Sequence, residues 1–151
     1  MRVDFYQLSR DPVDRVVALL AAKVMQAGER LVVVTEDADQ RRRISETLWA
    51  QDGAAFLAHG DAGEGDAGAA DAARQPILLS AECAFPNGAR MAILADGKWR
   101  EEAATLDRAM LLFDNAATDA ARDLWRVLDA REAIDNRIFK QRDDGGWREG
   151  R

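Results

Sequence analysis

Cysteine, histidine and proline are nearly missing from this 151-residue chain, which has one Cys, one His and three Pro. The lone Cys83 cannot close an internal disulfide, and with His59 as the sole histidine no Cys/His zinc site can be assembled. Basic residues are in deficit as well: 21 Lys+Arg stand against 27 Asp+Glu, a formal net charge of -6. A large footprint for a phosphate backbone is therefore not expected, and any contact with DNA should be indirect or weak. No apolar run approaches the roughly 20 residues of a membrane span. The start carries Asp4, Asp11 and Asp14 where a signal peptide is basic and then apolar, so a cytoplasmic protein with no membrane partner is expected. With 48% hydrophobic and 32% charged residues, the chain has the composition of one globular domain spanning residues 1–151.

Within that domain the hydrophobic pattern alternates between two periods. Val3 to Tyr6 is a short β-prone stretch. Asp11 can cap and Pro12 can open a helix of about 16 residues, with Val13, Val17, Leu20 and Val24 on one face and Gly28 as its left-handed stop. Leu31 to Thr35 is a continuous β-branched run, as in a central strand covered on both faces. Asp37 or Asp39 can cap a second helix that turns Ile44 and Leu48 inward, leaves Arg41, Arg42 and Arg43 mostly solvated, and ends near Trp49. Residues 58–75 hold four glycines, four acids and one arginine without a hydrophobic period, and are expected to form a mobile acidic loop.

Three short apolar runs follow, at Pro76–Leu79, Met91–Leu94 and Met110–Phe113, with a helical turn between Trp99 and Leu106. A last long helix spans Ala116 to Arg131 with Ala117, Ala121, Leu124 and Leu128 on its core arc. Arg137–Gln141 predicts a terminal strand, followed by a turn and Trp147. Strands alternating with helices predict an α/β fold: a three-layer α/β/α domain on a mostly parallel, mixed central sheet.

Enzymatic constellations are sparse. The first strand-to-helix turn, Gln7–Pro12, has no glycine to admit a phosphate, no GxxxxGK[ST] loop occurs, and the glycines between Gly60 and Gly68 lie among acids that repel phosphate. No cofactor and no metal are expected, since Asp61, Glu64 and Asp66 depart from calcium-loop spacing. His59 is a candidate general base, but spacing identifies no partner for it, and a loop-anchoring role suits it better. Cys83 reads as a small buried hydrophobe.

The flank of the last helix is more unusual. Thr118, Arg122, Trp125 and Asp129 follow one another by four, three and four residues, with Arg126 one step round. Two guanidiniums beside an indole can hold a carboxylate while the aromatic takes an apolar side chain. A solvated helix face with Trp125 half-buried at its edge is the plain alternative. Trp49 with Phe56 forms a second apolar group, either core packing or an interaction patch.

These residues resemble a known family, the chi subunit of bacterial DNA polymerase III holoenzyme. The likeness is carried by Val3-Asp-Phe-Tyr-Gln-Leu8, Gly28-Glu-Arg30 leading into Leu31–Val34, Glu46-Thr-Leu-Trp49, Phe56-Leu-Ala-His59 and Gly63-Glu-Gly65. Pro76-Ile-Leu-Leu79, Pro86-Asn-Gly88, Leu111-Leu-Phe-Asp114 and Ala121-Arg-Asp-Leu-Trp125 complete it. The resemblance implies a non-catalytic adaptor that binds the acidic, phenylalanine-ended C-terminal tail of single-stranded DNA-binding protein and, in many members, a psi subunit of the clamp-loader assembly. It implies Arg122, Trp125 and Arg126 as the tail receptor with Leu111 to Phe113 as an apolar wall, and Trp49 with Phe56 as the psi-facing surface. Relatives can have tyrosine where Trp125 stands and a basic residue where Thr118 stands. The competing readings are a small α/β hydrolase or nucleotide-dependent enzyme around His59, and direct stacking of single-stranded DNA on Trp125 or Trp49.

Overall fold

The computed structural model describes residues 1–50, 57–62 and 71–150. Along the chain run β1 (Arg2–Leu8), α1 (Val13–Gln26), β2 (Leu31–Val34), α2 (Ala38–Trp49), β3 (His59–Asp61), β4 (Ile77–Ser80) and β5 (Met91–Leu94). A 3-10 turn at Glu101–Thr105, β6 (Arg108–Asp114), a second 3-10 turn at Asn115–Ala117, α3 (Thr118–Asp129), β7 (Asp135–Gln141) and β8 (Trp147–Gly150) complete the order.

The β-branched β2 is buried at all four of its residues. It lies inside one sheet ordered β3-β4-β2-β5-β6-β1-β7-β8. Every pairing is parallel except the closing β7–β8 hairpin. Because side chains alternate along a strand, the sheet sorts them into two layers. Tyr6, Leu31, Val33, Ile93 and Leu112 join α1 and α2 in one. Phe5, Val32, Leu94, Leu111 and Phe113 join α3 and the Glu101–Thr105 turn in the other. This is the expected three-layer arrangement. No helix among the described residues is long and apolar enough to cross a membrane.

Local expectations fare unevenly. Asp37 caps α2, accepting from the backbone N–H groups of Asp39 at 2.9 Å and Gln40 at 3.3 Å, and Ile44 and Leu48 are fully buried. Gly28 ends α1 with φ of 75°. Asp11, however, does not cap α1, because Pro12 occupies the N-cap position. The Asp11 carboxylate instead accepts from Gln141 Nε2 at 2.8 Å. Gln141 Oε1 in turn accepts the backbone N–H groups of Ser9, Arg10 and Asp11 at 3.2, 3.0 and 3.1 Å. A partner about 130 residues away overrides the local rule.

Two further departures matter for the surface. Arg41 is not solvated: its side chain is 16% exposed, donates to the Thr35 carbonyl at 2.6 Å and pairs with Asp61 at 3.4 Å. The segment expected to be loop over 58–75 begins with β3, in which His59 pairs with Ile77, and it also sends Ala72 into the core. Gly60 suits that strand because a side chain there would meet Gln75 at 2.9 Å. Its glycines at 63, 65 and 68 lie outside the described residues, as does Phe56.

Candidate functional site

The three- and four-residue spacing on α3 stacks Thr118, Ala121, Arg122 and Trp125 on one flank. Beneath them the register of β6, β1 and β7 sets Phe113, Gln7 and Lys140 side by side, with Leu111, Phe5 and Ile138 in the adjoining row. Helix and strands enclose a groove of 150 Å³ at the carboxyl end of the sheet, where α/β proteins receive ligands. Arg122, Trp125 and Phe113 line this groove. Leu111 and Arg126 do not: Leu111 is fully buried beside Phe5, and Arg126 points to solvent and pairs with Asp123 at 3.6 Å.

Trp125 is held at both its ring and its backbone. The Trp125 and Phe5 ring centroids lie 5.1 Å apart at 57°, and the Trp125 carbonyl accepts from Asn136 Nδ2 at 3.1 Å. Phe5, Gln7, Ile138 and Lys140 were invisible to helix periodicity. Their i, i+2 spacing places each pair on one strand face, but only the pairing of β1 with β6 and β7 brings those faces under α3. The charges differ in pairing. Arg2, Arg41, Arg90, Arg100, Arg108 and Arg131 all face carboxylates. Among the described residues, the exposed Arg122 and Lys140 do not.

A second cavity, of 390 Å³, opens between α2 and β3 and is lined by Arg41, Ser45, Trp49, His59 and Asp61. Trp49 ends α2 and is 54% exposed, its ring 4.6 Å from that of His59. Here the structure supplies the partners that spacing did not identify for His59. His59 Nδ1 lies 2.9 Å from the Leu57 carbonyl, which only accepts, so that nitrogen carries the proton. In the neutral ring Nε2 then accepts from the Ser45 hydroxyl at 2.9 Å. The pair was hidden because Ser45 and His59 lie on elements joined by residues whose spacing carries no period.

The sequence of this fold can now be set beside known ones. Residues 1–134 match the family described as DNA polymerase III chi subunit, HolC. The chain belongs to the chi subunit family. DNA polymerase III subunit chi of Escherichia coli (strain K12) is 32% identical over 98 residues, covering 54% of this chain and 67% of the relative. The chi match takes in β1, β6 and α3, with Arg122, Trp125 and Arg126, and ends at Ile134. Ile138 and Lys140, on β7, lie beyond it.

Two further features bear on the chemistry of a chi-family chain. In doubly wound folds a phosphate sits against the backbone amides after the first strand. Here the amides of Ser9, Arg10 and Asp11 are taken up by Gln141. Gly63, Gly65 and Gly68 do have the spacing of a dinucleotide fingerprint, but Glu64 and Asp66 stand between them and the segment is outside the described residues.

Carboxylates also clamp the α3 side of the sheet. Glu101 binds Arg131 through two 2.8 Å contacts and accepts from Trp99 Nε1, and these donors hold its carboxyl down at about 2. Burial pushes the Asp96 carboxyl up, yet bidentate Arg100 and the amides of Glu36 and Lys98 outweigh it and leave the group below its ordinary value. Cys83, only half-buried, has its thiol pushed up by burial, away from nucleophilic use.

Proposed function

We propose that this accessory subunit of DNA polymerase III is a non-catalytic adaptor whose groove under α3 captures the C-terminal tail of single-stranded DNA-binding protein and ties it to the clamp-loader assembly. The observation that carries the reading is the groove itself: 150 Å³ walled by Trp125, Phe5, Phe113 and Ile138, with two cations at its rim that face no carboxylate among the described residues, in a chain of net charge -6. A cavity of about that volume accommodates one phenyl ring. A terminal phenylalanine supplies the ring, and its carboxylate and the preceding acids supply the charge for Arg122 and Lys140. Arg126, already beside Asp123, contributes from the rim, where an exposed pair is worth about 0.2 to 1 kcal/mol. Leu111 supports the floor from beneath.

The test is calorimetric titration of an acidic peptide ending in phenylalanine. Binding by the unaltered chain, lost in Trp125→Ala and weakened in Arg122→Ala with both variants folded, is the expected result. Unchanged affinity in both variants would place the site elsewhere.

Trp49 favours a second interface on the same chain. An indole 54% exposed at a helix end, beside a 390 Å³ cavity, suits an apolar anchor of a psi-like partner. Phe56 belongs to that proposal by sequence alone. The Ser45–His59 pair gives the hydrolase reading its one geometric support. In our reading it fixes β3 to α2: the histidine's second nitrogen rests on a main-chain carbonyl, and Trp49 covers its ring. Reproducible ester or nucleotide turnover that disappears in His59→Ala would reverse that assignment.

A further inference from the structure

We propose that Gln141 is a latch: its side chain fills the β1–α1 turn as an internal ligand and closes the C-terminal hairpin β7–β8 onto the domain, and Asp11 makes that turn accept a neutral carboxamide and refuse an anion. The latch does not depend on what the groove under α3 binds.

The turn is built to take a ligand. The chain leaves β1 for α1 on one face of the sheet and leaves the neighbouring β6 for α3 on the other. Connections that part in this way open a crevice at the carboxyl ends of the strands. Here it is a cavity of 540 Å³ lined by residues 8–13 and 114–116. Three consecutive N–H groups of its wall, those of Ser9, Arg10 and Asp11, converge on a single atom, Gln141 Oε1. Convergent main-chain donors of this kind hold an anion in other proteins.

The occupant comes from β7, a strand beyond the family match. The β1–β7 ladder ends at the pair Gln7–Lys140, and the next side chain, Gln141, continues the attachment by other means. It is 7% exposed, its Nε2 donates to Asp11 Oδ2 at 2.8 Å, and its main-chain carbonyl accepts from Ser9 Oγ at 3.0 Å. Further along the hairpin the Trp147 ring meets Tyr6 edge-on with centroids 5.1 Å apart, and the Arg10 guanidinium lies against Gly145, a turn residue with φ of 88°. Gln141 thus holds the hairpin at the turn, and its aromatics hold it at the strand.

Asp11 sets the selectivity. The three main-chain N–H groups only donate, and the Asp11 carboxylate only accepts, its other oxygen lying 3.9 Å from Arg15 Nε. A carboxamide meets both demands, with an acceptor on one side and a donor on the other. A carboxylate or a phosphate would satisfy the amides but set an oxygen of like charge against Asp11. One acidic residue thereby converts an anion position into a receptor for a neutral side chain of the same chain.

Exchanging the charges tests this. Hydrogen exchange of the β7 and β8 amides is followed at neutral pH in the full chain, in Gln141→Glu and in Asp11→Asn/Gln141→Glu. Gln141→Glu has nearly the shape of the original, so a purely steric role would leave exchange unchanged. We expect it instead to speed exchange of the hairpin about tenfold or more, while β2 and β5 keep their protection, because two carboxylates now meet. The double variant should return to within about threefold of the unaltered chain. In it the introduced asparagine donates where Gln141 donated, and the introduced glutamate still accepts the three N–H groups. Unchanged exchange in Gln141→Glu, or exchange in the double variant no slower than in Gln141→Glu, overturns the inference. If Gln141→Glu does not fold, recovery of the fold in the double variant supports the inference and failure to recover overturns it.

Discussion

Under α3 the tryptophan is half-buried against Phe5 and the neighbouring Arg122 and Lys140 face no carboxylate among the described residues. Between α2 and β3 the tryptophan is 54% exposed, and Arg41 and Arg42 face Asp61 and Asp39. Both cavities therefore combine an indole with arginines, yet they suit different ligands. Paired arginines keep their attraction within the molecule, so on the proposed reading the surface around Trp49 offers a partner mainly apolar contact. Cations that face no carboxylate among the described residues, beside a fixed ring, suit the proposed anion attached to an aromatic group. The pairing state of the cations separates the two sites more than the residue types that build them.

The comparison is most exposed to failure at its aromatic centres. Trp125→Ala should cost tail-peptide affinity roughly thirtyfold, as for a buried interface anchor, while Trp49→Ala leaves it unchanged. Calorimetry on the two variants checks this, and equal losses would mean that the two surfaces form a single site.

Salt should sharpen the difference. Screening acts on exposed charges beyond about 10 Å at 0.1 M and about 3 Å at 1 M, so tail binding should weaken several-fold over that range without disappearing. A partner captured at Trp49 should show little dependence, which parallel titrations at the two salt concentrations would establish.

The smallest expected effect concerns acid. The Glu101 carboxyl is held at about 2, against 4.5 ordinarily, by Arg131 and Trp99. Because folding lowers this value, the clamp contributes above pH 4.5 and is lost as pH falls from there through about 2. Its exposure to solvent makes the stability change small. Carboxyl NMR should show Glu101 titrating near 2, and Arg131→Gln should move the midpoint toward 4.5. A midpoint unmoved by that substitution would show that the clamp does not form in solution.

Sequence alone determined the parts of this protein that depend on near neighbours. The buried β2, the inward Ile44 and Leu48, the Asp37 cap, the stop at Gly28 and the stripe of Thr118, Arg122 and Trp125 all follow from periods of two or 3.6 residues and from contacts within one turn. Tertiary structure decided whatever needed a distant partner. Asp11 lost its capping role to Gln141, Arg41 folded onto Asp61, and Ser45 found His59. The groove is the clearest case. Its roof was legible on α3, but its floor joins Phe113, Gln7 and Lys140, which share no local pattern and meet only because β1 pairs with β6 on one side and with β7 on the other. A strand's period states which residues share a face, whereas strand order, set by how the whole hydrophobic surface is buried, states which faces become neighbours.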